Sequence, residues 1–174
     1  WSPSAGIAQT ENNLSVGTYT CFIADANLCE ISKTISINEP VVLSASISGS
    51  DLSCNGINDG SASVVPSGGT SPYTYVWSPT GGTNAAAISL LANTYTCVIA
   101  DVNLCSTFQS IVISQPPALT ASISGIDLLC HGASDGSASV IASGGTGAYS
   151  YAWSPTGDVT ETASNLSAGT YTCI

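Results

Sequence analysis

Apolar and small polar residues alternate along the chain in short stretches broken by Gly, Pro, Asn and Asp. Val42 to Ser48 alternates in this way, as a half-buried strand does. Gly60 to Val65 predicts a second strand, and Ser67-Gly68-Gly69-Thr70 a turn after it. Tyr73 to Trp77 predicts a third strand, with Tyr73, Tyr75 and Trp77 on one face. Pro79 to Thr83 breaks it, and Ala87 to Leu91 is a short strand or crossing segment. Thr94 to Ala100 is a strong strand with Tyr95, Cys97 and Ile99 on one face. Asp101 to Leu104 is a turn, and Thr107 to Ser114 closes the series. Seven or so short strands at this spacing predict an all-β fold of sandwich type.

The pattern repeats. Trp-Ser-Pro begins at Trp1, Trp77 and Trp153, each 76 residues after the last. Thr-Tyr-Thr-Cys ends at Cys21, Cys97 and Cys173, and Asp25 to Cys29 matches Asp101 to Cys105 at the same offset. Cys54-Asn-Gly with Asp59-Gly-Ser-Ala matches Cys130-His-Gly with Asp135-Gly-Ser-Ala. Nothing breaks the register, as expected of a tandem array. Glu39-Pro40 and Gln115-Pro116 mark boundaries, because proline lacks the amide a continuing strand needs. The spans are then 1–40, the C-terminal part of a sandwich repeat; 41–116, a complete one; and 117–174, the N-terminal part of a third. The phase of these ends leads us to expect a segment of a longer array.

Composition narrows the function. Charged residues are 7% of the chain, with 11 acids against the single base Lys33 and a net charge of −10. That excludes the basic footprint of a nucleic-acid binder and disfavours adsorption to anionic membranes. At 44% hydrophobic the chain is too apolar to be disordered, yet no apolar run is long enough to insert in a membrane as a helix. So few charges imply that many apolar side chains lie near the outside. That surface is expected to be buried against copies of the same protein or covered by glycan.

Candidate chemistry is sparse. Asp51, Ser53, Asn55 and Asp59, with Gly56 between, partly mimic a calcium loop, so Asp51, Asn55 and Asp59 form a weak metal candidate. Ala62 stands where the bidentate Glu would be, and the next copy has Leu129 and His131 at two ligand positions, so a turn rich in Asp and Asn is the stronger reading. No nucleophile–base pair recurs between copies, and nothing asks for a cofactor; the chain reads as no enzyme. Asn13-Leu-Ser and Asn165-Leu-Ser fit a glycosylation pattern that the middle copy, Ser89-Leu-Leu, lacks. Tyr19, Tyr95 and Tyr171 each precede a cysteine by two residues, the spacing of the tyrosine corner of immunoglobulin-like sandwiches. Tyr95, Trp77, Tyr19, Trp153 and Tyr171 are accordingly expected in the core. Tyr73, Tyr75 and Trp77 as a sugar-stacking platform is the competing reading. Seven periodic cysteines without a CxxC pair suggest disulfides in an oxidising compartment rather than a zinc site.

Together, Cys54-Asn-Gly, Asp59-Gly-Ser-Ala, Gly68-Gly69-Thr, Pro72-Tyr-Thr-Tyr-Val-Trp77, Thr94-Tyr-Thr and Asp101 to Cys105 through Gln115-Pro116 resemble the SprB-type repeat of long bacterial surface adhesins. The resemblance implies the extracellular bacterial cell surface, export by the type IX route, and a role in adhesion or gliding. It also implies a bridge between Cys54 and Cys105, with Cys97 the odd cysteine; Cys54 with Cys97 is the rival. Two departures matter. Leu28 and Leu104 stand where the family has Gly, which is expected to move the left-handed turn position to Asn27 and Asn103. Cys21, Cys97 and Cys173 replace an apolar residue. The reading that follows is a structural stalk or filament whose partners are copies of itself; the alternative is an adhesin whose modules bind glycans or surfaces.

Overall fold

The computed structural model describes residues 1–174. It is all-β, with thirteen antiparallel strands and no helix. In the first span, β1 (Gly17–Ala24) and β2 (Glu30–Ile37) pair as a hairpin. The middle span holds β3 (Ser44–Ser50), β4 (Gly60–Ser67), β5 (Thr74–Ser78), β6 (Ala86–Leu90), β7 (Asn93–Ala100) and β8 (Ser106–Ile113). These are six strands rather than the seven the spacing suggested, and their ends lie within about two residues of the alternation-based expectation. The last span holds β9 (Thr120–Ile126), β10 (Gly136–Ser143), β11 (Trp153–Ser154), β12 (Thr162–Leu166) and β13 (Thr172–Cys173). Every hydrogen-bonded sheet lies inside one of the three spans.

The middle span is a sandwich of two three-stranded sheets, ordered β3-β4-β6 and β5-β7-β8. Alternation decides which side chains enter it. Ala62 and Val64 of β4, Trp77 of β5, Ala87 and Leu90 of β6, Tyr95, Cys97 and Ile99 of β7, and Ile113 of β8 form one core with Leu52. Burying side chains such as Ile99 and Ile113 contributes about 1.5–3 kcal/mol each. The sheets approach closely only where glycine permits. A methyl placed on Gly49 would sit 2.9 Å from Ile111 Cδ1, and one on Gly60 2.7 Å from Ile113 Cγ2.

Each tryptophan and tyrosine of the repeat carries its polar atom to a fixed backbone partner. Trp1, Trp77 and Trp153 donate from Nε1 to the carbonyls of Ala8, Asn84 and Thr160, each at 2.9 Å and seven residues ahead. Tyr19, Tyr95 and Tyr171 donate to the carbonyls of Ser15, Leu91 and Ser167, four residues back. These bonds satisfy polar tips that burial would otherwise strand. Trp77, Tyr95, Tyr19 and Trp153 are buried, whereas Tyr171 is half-buried. Tyr73 and Tyr75 pack against the same core, and Tyr73 donates to Gly68 O at 2.6 Å, so the aromatic row faces inward and offers no stacking platform.

The left-handed position of the turn before β8 is Leu104, with φ of 66°, not Asn103; Leu28 matches it at 66°. The expectation for Asn27 and Asn103 is therefore corrected. Asp101 Oδ1 accepts from the amides of Asn103 and Cys105, and Leu104 N–H closes on Asp101 O at 3.0 Å. Those bonds fix the turn's phase, so the residue before the cysteine takes positive φ whatever its side chain. A left-handed backbone costs a leucine about 1–2 kcal/mol, and glycine's extra unfolded-state freedom offsets about half of that. Leu104→Gly is expected to raise stability by about 0.5–1 kcal/mol in urea denaturation. Asn13, Ser89 and Asn165 also share positive φ, at 57°, 56° and 57°. Asparagine tolerates that conformation, which gives the two apparent glycosylation triplets a backbone reason.

All seven cysteines are free thiols, so the expected Cys54–Cys105 bridge is not formed. Strand direction is the reason. Cys105 precedes the start of β8, while Cys54 follows Leu52, whose amide donates to Ser114 O just past the end of β8. Nine residues of extended chain separate those ends, about 30 Å at ~3.3 Å per residue, where a disulfide tolerates at most about 7 Å between Cα atoms. The rival is not formed either: Cys97 is a free thiol buried in the core, and Cys54 a free thiol exposed in its loop. Burial pushes the Cys97 thiol above the ordinary range, with a backbone hydrogen bond at Val76 acting the other way. In the reduced chain, Cys29, Cys54, Cys105 and Cys130 are exposed and are expected to react rapidly with a thiol reagent. Cys97 is expected to react only on unfolding; rapid modification in a Cys97-only variant would contradict the burial.

Candidate functional site: the junction between modules

The loop Asp51 to Asp59 sits where the middle sandwich hands over to the next span. Its side chains are committed to backbone. Asp51 Oδ1 accepts from Ser114 N–H at 2.8 Å, directly after β8. Asn55 Nδ2 donates to Pro116 O at 3.0 Å, and Gly56 N–H donates to Gln115 Oε1 at 2.9 Å. Asp59 Oδ1 accepts from Ser53 N–H at 3.2 Å. Of the weak calcium candidate, Asp51 and Asn55 thus belong to a clamp on Ser114 to Pro116, while Asp59 braces the loop internally at Ser53. The oxygens turn toward amides rather than converge on a point, and no three His, Cys, Asp or Glu side chains gather anywhere in the chain.

The clamp continues into the next span. Thr146 Oγ1 donates to Ser53 O at 3.5 Å, across 93 residues of sequence. Ser53, Cys54 and Asn55 form one wall of a cleft of about 610 Å³, with Pro117, Leu119 and Tyr149 among the residues opposite. The linker is held on both sides, because Gly145 N–H of the next span also donates to Pro117 O at 2.8 Å. Prolines at 116 and 117 stiffen it, and Gln115, Asn55 and Asp51 tie it to the middle module.

The electrostatics are local. The Ser114 amide holds the Asp51 carboxyl below its ordinary 3.8, and the hydrogen bond from Ser53 does the same for Asp59. A carboxyl whose folded pKa is depressed stabilises the fold above its unfolded pKa, and that stabilisation is lost as pH falls through the folded value. The clamp is expected to be intact at neutral pH and to loosen below about pH 3.8. Hydrogen exchange at Ser53 and Ser114, referenced to the intrinsic rates at each pH, is the check: protection that stays constant down to pH 2 would remove the carboxylates from the clamp.

Asp101, which the sequence pattern places in a turn, is a further anchor. It is 3% exposed. Its Oδ2 accepts from Thr70 N–H at 2.9 Å, while Oδ1 takes Asn103 and Cys105. One carboxylate thus joins the β7–β8 turn to the Gly68-Gly69-Thr70 turn at the opposite pole from the clamp. Its signal was present, because Asp25 recurs at the same offset and caps Asn27 and Cys29 in the same way.

No curated protein matches the chain. A family model does, described as the SprB repeat, over residues 46–83 and 126–158. Those segments run from β3 through the Trp77-Ser-Pro turn, and from the end of β9 through its Trp153 counterpart, so they fall on equivalent parts of two successive modules. The SprB repeat is a structural repeat of adhesin-associated cell-surface proteins, not a catalytic unit. The chain thus carries the SprB repeat twice, on parts that correspond within its own 76-residue period.

Proposed function

We propose that this chain is the structural repeat region of a long extracellular surface filament or adhesin stalk on a bacterial cell, built by stacking modules end to end. The observation that carries the reading is the doubly held linker. Asn55 and Gln115 bond Pro116 O and Gly56 N–H on one side of it, Gly145 N–H donates to Pro117 O on the other, and Thr146 reaches across the junction to Ser53 O. A chain of independently tumbling beads has no use for such contacts, whereas a stalk that transmits force needs them. Each sandwich would add about 35–45 Å of length, from strands of six to eight residues with their loops.

Small-angle scattering is the test. The chain should give the profile of an extended, stiff particle, and Asn55→Ala with Gln115→Ala should broaden its distance distribution. A profile of flexibly linked modules in the parent chain would overturn the reading. Lateral packing of copies is the second part of the proposal. It is supported by exposed apolar side chains on outward faces, among them Val65, Ile88, Val98 and Phe108, and by the low charge. The alternative, modules that bind glycans, would need an exposed apolar feature recurring on each module. Val76, Val98 and Phe108 form one cross-strand row, but Ser32 replaces Phe108 in the first span.

A further inference from the structure

The alternation that fills the middle core also sets what its sheets show outward. Val76 of β5, Val98 of β7 and Phe108 of β8 make one outward row, because Val76 pairs with Val98 and Val98 with Phe108. All three are exposed, Phe108 by 67%, and Val112 lies exposed on the same face. No charge stands on this face. The middle span has only three charged residues, Asp51, Asp59 and Asp101, and all three lie in the loops at its two poles. The net charge of −10 is therefore kept away from a face-to-face approach.

The hydroxyls distinguish the two faces of the sandwich. On β5-β7-β8, Thr96 Oγ1 and Ser110 Oγ bond each other at 2.8 Å, and Thr74 Oγ1 donates to Ala100 O at 3.3 Å. These groups are partnered within the sheet, so covering them strands little hydrogen bonding. On β3-β4-β6 the outward residues are mostly serines, and the one side-chain bond there runs from Ser44 Oγ to Ser67 O. Ser46, Ser48 and Ser63 take their hydrogen bonds from water, and a covering partner would have to replace them. The first span repeats the self-satisfied pattern. Thr18 bonds Ser36 and Thr20 bonds Thr34 across β1 and β2, with Phe22 exposed at the place of Val98.

We infer that a second copy of this chain packs on the outer face of β5-β7-β8, with Phe108 of each copy over Val76 of the other. The row has a large end on edge strand β8 and a small end on edge strand β5. A two-fold axis along β7 sets large on small at both ends and leaves the two stalks pointing the same way. A sugar ring would need free donors and acceptors beside the row, and here the hydroxyls answer one another. The face measures about 14 Å by 26 Å, roughly half of the ~800 Å² that each partner contributes to a stable dimer. One facing pair is thus a reversible contact. The inference rests on the lateral-packing part of the proposed function and assigns it to one of the two faces.

The test is sedimentation of the 174-residue chain up to millimolar concentration. A reversible step from 17.4 kDa to twice that mass is expected. Phe108→Asp should weaken it tenfold or more with unchanged circular dichroism, because the side chain is outside the core. Val65→Asp with Ile88→Asp, on the other face, should leave it unchanged. Chains carrying Phe108→Asp and Val76→Lys should each be monomeric alone and should dimerise when mixed, since only the mixture sets Asp over Lys and keeps one Phe108 on Val76. A parent chain that stays monomeric overturns the inference, and glycan binding lost in Phe108→Asp would then give the face to sugar. Association that survives Phe108→Asp, or that the Val65 and Ile88 changes abolish, overturns it as well, and a mixture that stays monomeric overturns the seating of Phe108 on Val76. Scattering of the monomeric Phe108→Asp chain reads the stalk separately: a stiff, elongated profile preserves the end-to-end reading whatever the association shows.

Discussion

Trp77→Ala is expected to destabilise the middle sandwich by about 3–5 kcal/mol, the largest effect of any single truncation in the chain. The ring is 5% exposed and stands opposite Cys97 in the β5–β7 pairing. Gly81 folds against it so closely that a methyl there would lie 2.9 Å from Trp77 Cβ. Truncation leaves a cavity that two short sheets cannot collapse into. It also strands the Asn84 carbonyl, which now accepts from Nε1 at 2.9 Å. A domain of this size has about 5–15 kcal/mol of stability in total, so the variant should be partly unfolded near body temperature. Urea denaturation followed by circular dichroism is the measurement. Trp77→Phe separates the two contributions, because it keeps much of the volume and loses only the hydrogen bond, and should cost about 1–2 kcal/mol. A Trp77→Ala loss below about 1 kcal/mol would mean that the ring is not a core residue.

Asp101→Ala is expected to cost about 2–4 kcal/mol, because three backbone amides lose a charged acceptor together. Those of Asn103 and Cys105 belong to the β7–β8 turn, and that of Thr70 belongs to the turn at the end of the other sheet. Asp101→Asn keeps the shape but offers only one acceptor oxygen, so it should lose about half as much. The readout is exchange protection at Thr70, which should vanish in the alanine variant and survive at Val64, deep in β4, where the backbone ladder is untouched. Equal loss at both amides would show a global effect rather than the loss of this tie. Asp25 is the built-in comparison. It caps Asn27 and Cys29 in the first span, and is exposed where Asp101 is buried, so Asp25→Ala should be nearly silent.

Period-two alternation and the 76-residue register were enough to place the strands of the middle span, the inward row of Tyr95, Cys97 and Ile99, and the repeated partnership of tryptophan and tyrosine. Each is a local property: a strand shows one face to the core, and a residue's neighbours at two and four positions determine which face that is. The chemistry of the Asp51 to Asp59 loop was not legible, because its partners Ser114, Gln115 and Pro116 lie about sixty residues away and meet it only when β8 returns beside the first turn. The same return explains the cysteines. Cys54 and Cys105, which the family resemblance made partners, are held at opposite poles by a straight eight-residue strand. Leu104 was misplaced by one residue for a related reason, since the phase of its turn is fixed by the Asp101 carboxylate rather than by which side chain best tolerates positive φ. The amino-acid sequence by itself determined the strands, their faces and the repeat, because these follow from spacing along the chain. Only the tertiary structure decided which ends of the strands meet, and hence the clamp and the free thiols, because direction and crossing between sheets leave no trace in alternation.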